Sequence, residues 1–139
     1  MQQRASKDLK PLVYSCSGCS SLAQLANDLA VWLHADGIAE MSSIAGVGGG
    51  VRQLVSVATS GRQIIALDGC SLGCVKRCLA LRNVAPTWHI ELTELGLHTD
   101  SGEPCSLADT YRALRFIHDK LGVNFDADIT SPLDRITGY

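Results

Sequence analysis

The chain has 139 residues and a mass of 14.8 kDa, about the size of one ordinary domain. Hydrophobic residues make up 46% and charged residues 19%, which excludes a disordered chain and permits a core without a disulfide scaffold. A net charge of −2 and a pI near 6.0 leave no electrostatic footprint for nucleic acid or an anionic membrane surface.

The N-terminal stretch from Met1 to Lys10 is charged without a following apolar core, so no secretory signal is expected. Pro11 to Ser15 reads as a first strand. Leu22, Leu25, Ala26, Leu29, Trp32 and Leu33 then recur at helical spacing, with Ser20 or Ser21 as the cap and Gly37 just past the end. Ile38 to Ala45 is a weaker, partly polar strand running into the glycine-rich loop Gly46 to Gly50. Val51, Leu54, Val55 and Ala58 predict a short amphipathic helix closed by Gly61. Gln63 to Leu67 has a buried-strand signature bounded by Asp68-Gly69, and a helix from Cys70 or Ser71 to Leu81 follows. Trp88 to Thr93, introduced by Pro86, is the next strand. The last element is a helix over Leu107 to Leu121, with Ser106 and Asp109 spaced as a capping box and Gly122 as its stop. Residues 1–10 and the tail after about Asn124 are expected to be peripheral.

Strand and helix alternating along the chain predict a single α/β domain over 1–139, its core about 11–123. The expected architecture is a three-layer sandwich around a mostly parallel four-stranded sheet, in the Rossmann- or flavodoxin-like order 2-1-3-4.

Six cysteines are the unusual count. No apolar run is long enough for a membrane span, so a reducing cytoplasm is the expected setting. There, clustered thiols bind metal or do redox chemistry more often than they form bridges. Cys16 and Cys19 form Cys-Ser-Gly-Cys after the first predicted strand; Cys70 and Cys74 follow Asp68-Gly69 after the third. In an open parallel sheet functional groups gather beyond the carboxyl ends of the strands. With order 2-1-3-4, strands one and three are neighbours, and both pairs face one crevice. On one continuous helix Cys70 and Cys78 would stand ~12 Å apart, at ~1.5 Å per residue, too far for one ion. Cys78 is therefore read as packed against the sheet, and Cys105 as a small buried hydrophobe. Placement at helix N-termini is expected to lower the pKa of the four paired thiols.

Tyr14-Ser15-Cys16-Ser17-Gly18-Cys19-Ser20-Ser21, Ile44-Ala45-Gly46-Val47-Gly48-Gly49 and Ala66-Leu67-Asp68-Gly69-Cys70-Ser71-Leu72-Gly73-Cys74-Val75-Lys76 together resemble the DGC-domain proteins. This small, largely bacterial family is named for its Asp-Gly-Cys motif and described as zinc-binding through paired cysteines. The likeness covers roughly residues 11–98. It implies Cys16, Cys19, Cys70 and Cys74 as metal ligands, the same four that the topology selects. One departure is Ser43, where some relatives carry cysteine. The resemblance implies no activity.

A thioredoxin-like redox role for the same cysteines is the main rival, with Pro86 before a strand as the neighbouring proline. The second cysteine pair has no part in that chemistry. Gly46 to Gly50 lacks the Gly-Lys-Ser/Thr of a P-loop, and Val51 stands where a dinucleotide fingerprint needs glycine, so the segment reads as a flexible turn. A low-molecular-weight phosphatase needs arginine where Leu22 stands. Asp68 reads as a turn former, as a group supporting the thiols or as a general base beside them. His89 is a reserve ligand on its strand. His34 and His118 read as surface or boundary residues, and Arg112, Arg115 and Lys120 as a solvated face. His98 shows no ligand spacing with the others, and Glu91 with Glu94 makes no convincing acid–base pair.

The expectation is one zinc ion, with an iron–sulfur cluster or copper(I) as chemically similar occupants, on Cys16, Cys19, Cys70 and Cys74. A metal-dependent enzyme or a thiol redox protein is the alternative. Expected partners are a metal ion and a small molecule or thiol, with no nucleic acid and no membrane.

Overall fold

The computed structural model describes residues 9–97 and 103–123. Strands β1 (Leu12–Ser15), β2 (Glu40–Met41), β3 (Ile64–Asp68) and β4 (Trp88–Glu91) form one sheet. Its order is β2-β1-β3-β4 and every neighbouring pair is parallel. The expected order holds. β1 and β3 are buried along their whole lengths, so their sequences, LVYS and IIALD, run apolar without strict alternation. Leu12 pairs with Ile64 and Ser15 with Leu67, which leaves β3 one residue beyond β1 at the carboxyl edge.

Five α-helices are described: α1 (Ser21–Ala35), α2 (Ile44–Gly48), α3 (Arg52–Ala58), α4 (Cys74–Ala80) and α5 (Leu107–Leu121). A 3₁₀ turn spans Leu92–Leu95. α1 lays Leu22, Leu25, Ala26, Leu29 and Leu33 on the sheet, packing against β1, β2 and β3 and, laterally, α5. α4 packs on β3 and on α2. Right-handed crossovers put α1 and α4 on opposite faces, which makes three layers. No described helix is long and apolar enough to cross a membrane.

Both predicted caps of α5 are formed. The Ser106 hydroxyl accepts from Asp109 N at 3.1 Å, Asp109 Oδ2 accepts from Ser106 N at 3.3 Å, and Gly122 closes the helix at φ 70°. Ser106→Ala should lower stability by about 1 kcal/mol, and Ser106→Gly by a few tenths only. Urea unfolding checks this; equal midpoints for the alanine variant and the parent would contradict it.

Several boundaries and environments differ from the sequence reading, the fourth strand among them, which ends at Glu91 where the 3₁₀ turn begins and not at Thr93. The second strand is only Glu40–Met41, because Ser43 caps a helix by accepting from Gly46 N at 3.3 Å. Gly46 and Gly48 therefore lie inside α2 and not in a flexible turn. A Cβ at Gly46 would strike Leu54 of α3, and one at Gly48 would stand 3.2 Å from Cys78 Sγ of α4. The glycines serve close helix packing. The helix predicted from Cys70 or Ser71 starts at Cys74, after a turn ending in Gly73 at φ 60°. The sulfur–sulfur argument that placed Cys70 and Cys78 on one helix thus does not apply, and Cys78 packs beside Gly48 of α2.

His118 is 5% exposed, not a surface residue. It shares the inner face of α5 with Leu114 and Ile117, and its Nδ1 stands 2.7 Å from Leu114 O, so the ring keeps a polar partner inside the core. On the opposite side Arg112 bonds the Leu95 carbonyl and Lys120 Nζ lies 5.5 Å from the Phe116 ring centroid. Of the peripheral segments expected at 1–10 and after about Asn124, residues 1–8 and 124–139 lie outside the described residues, as does His98.

Candidate functional site

The carboxyl edge of β1 and β3 brings the two cysteine motifs into direct contact. The ladder runs one residue past β1, with Cys16 N donating to Leu67 O at 3.0 Å. Cys16 is 7% exposed, and its Sγ accepts from Gly69 N at 3.2 Å, although 53 positions separate the two in sequence. The first motif is thereby docked on the second.

Asp68 explains the acid of Asp-Gly-Cys. It is 1% exposed at the last position of β3, and its Oδ1 accepts from Val75 N at 2.8 Å. Oδ2 accepts from Lys76 N at 3.3 Å and meets His89 Nε2 at 2.8 Å. The N-cap residue of α4, Gly73, has no side chain to offer, so Asp68 caps this helix from the strand. The carboxylate anchors the turn carrying Cys70 to the helix that opens with Cys74. It is neither a simple turn former nor a free base.

Gly69 explains the glycine. A Cβ there would stand 3.0 Å from Ala23 N and Leu22 C and 3.1 Å from Leu22 O, all backbone atoms of α1. Only a residue without a side chain lets β3 run on beneath the start of α1. Between Cys16 and Cys19, Gly18 takes φ 146°, a region L-residues rarely adopt. The chain turns there, and Cys19 emerges exposed.

The four expected ligands therefore have different surroundings. Cys70 is half-buried and Cys74 exposed, both close enough to Cys16 to act on its charge. Cys19 lines a separate cavity of about 320 Å³ together with Cys105, Asp28 and Glu103. The Cys105 sulfur lies 3.7 Å from Ser21 O, so this thiol faces α1 as well as packing on the core. A second cavity of about 380 Å³ opens beside β1 and β2, lined by Ser15, Ser17, Asn27, Ser42 and Ser43.

Burial pushes the Cys16 thiol pKa up; the Gly69 N–H bond works against this, and Asp68, Cys74 and Cys70 reinforce it. The expected lowering at a helix N-terminus does not hold for Cys16, because its sulfur is held inside the edge and not at the start of α1. Burial likewise raises Cys105 and the Asp28 carboxyl.

His89, a reserve ligand in the sequence, has Asp68 as its partner. β3 and β4 pair Ala66 with His89 and Asp68 with Glu91, so Asp68 and His89 share one face of the sheet. Alternation would have revealed this only with the register known. Glu91 accepts from Thr93 Oγ1 at 2.8 Å.

Thiolates are the donor type that zinc and other soft ions prefer. In position, the match is incomplete: among the described residues no three His, Cys, Asp or Glu side chains are arranged to hold a metal ion. Cys16, Cys70 and Cys74 share the edge, while Cys19 stands on the cavity side of the Gly18 turn.

The family model of the DGC domain matches residues 12–117. A protein of Pseudomonas aeruginosa (strain PAO1), the "Anaerobic and virulence modulator AnvM", is 57% identical over 112 residues, which cover 81% of this chain and 86% of that protein. No solved structure matches. Docking by Cys16 and Gly69, capping by Asp68 and close approach at Gly69 all arise from the motif residues that the family model spans, and the chain belongs to the DGC-domain family.

Proposed function

We propose that the chain binds one soft metal ion, zinc in the first instance, at the carboxyl edge of the sheet through Cys16, Cys19, Cys70 and Cys74. The observation that carries this reading is the contact between Cys16 Sγ and Gly69 N, which joins two thiol-bearing loops distant in sequence. Closure on the ion requires Cys19 to turn inward, a movement that falls on Gly18, where the backbone is least restricted. The ion would deprotonate its thiol ligands and staple the two loops. An open coordination position would make the site catalytic, and four closed thiolates a structural or metal-handling one.

The relative's name refers to anaerobic and virulence modulation. Thiols carrying a soft ion respond to oxidants, so a modulator acting through such a site in a reducing cytoplasm agrees with that name. A second reading, thiol–disulfide exchange without metal, is favoured by the six free thiols.

Elemental analysis of protein purified without an affinity tag is the test. About one zinc per chain is expected, lost in Cys16→Ser and Cys70→Ser and kept in Cys105→Ser. Metal-free protein with every thiol titratable would remove the metal reading. Equal loss in all three variants would break the ligand assignment. A reversible Cys16–Cys19 disulfide in metal-free protein would put exchange in its place.

A further inference from the structure

We propose that Cys19 and Cys105 are an oxidation-sensitive pair that forms a disulfide between the loop after β1 and the segment leading into α5. The pairing belongs to the metal-free arrangement, in which Cys19 lines the cavity and is not turned in to the edge. Cys-Ser-Gly-Cys invites a bridge between its own two cysteines, but the fold directs them differently. Cys16 is buried with its sulfur on Gly69 N, facing the Asp-Gly-Cys turn. Cys19 lies past the Gly18 turn on a cavity of about 320 Å³ whose other thiol is Cys105. The Cys105 sulfur lies 3.7 Å from the carbonyl of Ser21, two positions after Cys19.

The two thiols differ in the way a peroxide-reactive pair requires. Cys19 is exposed, so a hydroperoxide reaches it directly. Cys105 is half-buried and packed against the core, so a hydroperoxide reaches it less readily and it acts second. In the first step the Cys19 thiolate takes an oxygen from an alkyl hydroperoxide, giving a sulfenic acid once protonated and releasing the alcohol. The Cys105 sulfur then attacks the Cys19 sulfur; the S–S bond forms, the S–O bond breaks, and water leaves with the proton of Cys105. Two thiols are oxidised by two electrons and one hydroperoxide is reduced to alcohol and water.

Glu103, Pro104 and Cys105 belong to no helix or strand, and Ser106 is the N-cap of α5. The bond would fix this segment to the start of α1, next to the loop that carries Cys16 and Cys19.

The test uses the full chain, stripped of metal with a chelator and treated with one equivalent of cumene hydroperoxide, then alkylated and mapped by tandem mass spectrometry. The expected result is loss of two of the six free thiols and a cross-link joining Cys19 to Cys105. Cys16→Ser should still form it, and Cys105→Ser should leave Cys19 as sulfenic acid that a dimedone probe traps. A Cys16–Cys19 cross-link, or oxidised Cys19 beside a Cys105 that still alkylates, would overturn the proposal. Zinc content, measured separately, bears only on the metal reading.

Discussion

Asp68→Ala is expected to lower stability by about 3 kcal/mol, a loss of ~10 °C in Tm for a chain of this size. The carboxylate is 1% exposed and serves Val75 N, Lys76 N and His89 Nε2 together. Alanine leaves two helix N–H groups at the start of α4 without an acceptor, and water reaches the Val75 group poorly because Val75 is buried. Asp68→Asn keeps one carbonyl oxygen for Val75 and should cost about half as much. His89→Ala should cost about 1 kcal/mol, since the imidazole is 27% exposed and leaves a carboxylate that still has two partners. Urea midpoints at unchanged slope are the measurement. Asp68→Ala unfolding together with the parent chain would mean that α4 is held by something other than this carboxylate.

Gly69→Val should cost nearly as much, about 3 kcal/mol, through overpacking. A Cβ at this position stands 3.0–3.1 Å from three backbone atoms of α1, none of which can rotate aside. The strand end and α1 must separate, and the Gly69 N–H would then move away from Cys16 Sγ. Gly61 supplies the contrast: its φ is 86°, but nothing lies within 4 Å of a Cβ there. Gly61→Ala should therefore cost only the ~1 kcal/mol of a left-handed backbone. Thermal unfolding of the two variants separates steric from conformational glycine, and a Gly61→Ala variant less stable than Gly69→Val would reverse the assignment. The alkylation rate of Cys16 should rise in Gly69→Val, because the sulfur loses its hydrogen bond and its cover.

The central strands and both long helices were legible because each carries its own signal. β1 and β3 are short apolar runs, α1 repeats leucine and alanine every three or four residues, and α5 is bracketed by Ser106, Asp109 and Gly122. The short middle elements were not. Ile44–Gly48 reads as a strand end running into the loop Gly46 to Gly50 because it carries glycines, and glycine is a poor helix former. It folds as a helix because Ser43 caps it and because α3 and α4 press against Gly46 and Gly48. The start of α4 was misplaced because its cap comes from Asp68, well upstream, where no local pattern reveals it.

The thiols divide along the same line. Two strand-end cysteine pairs, the parallel order β2-β1-β3-β4 and the meeting of both motifs at one edge follow from the sequence, since strand periodicity and right-handed crossovers leave few alternatives. Which way each sulfur faces does not. Cys16 turns in to Gly69, Cys19 stands exposed past Gly18 on a cavity that Cys105 also lines, and Asp68 joins His89 across two strands. Those relations depend on strand register and on how closely α1 approaches the end of β3, and both are fixed only when distant segments pack.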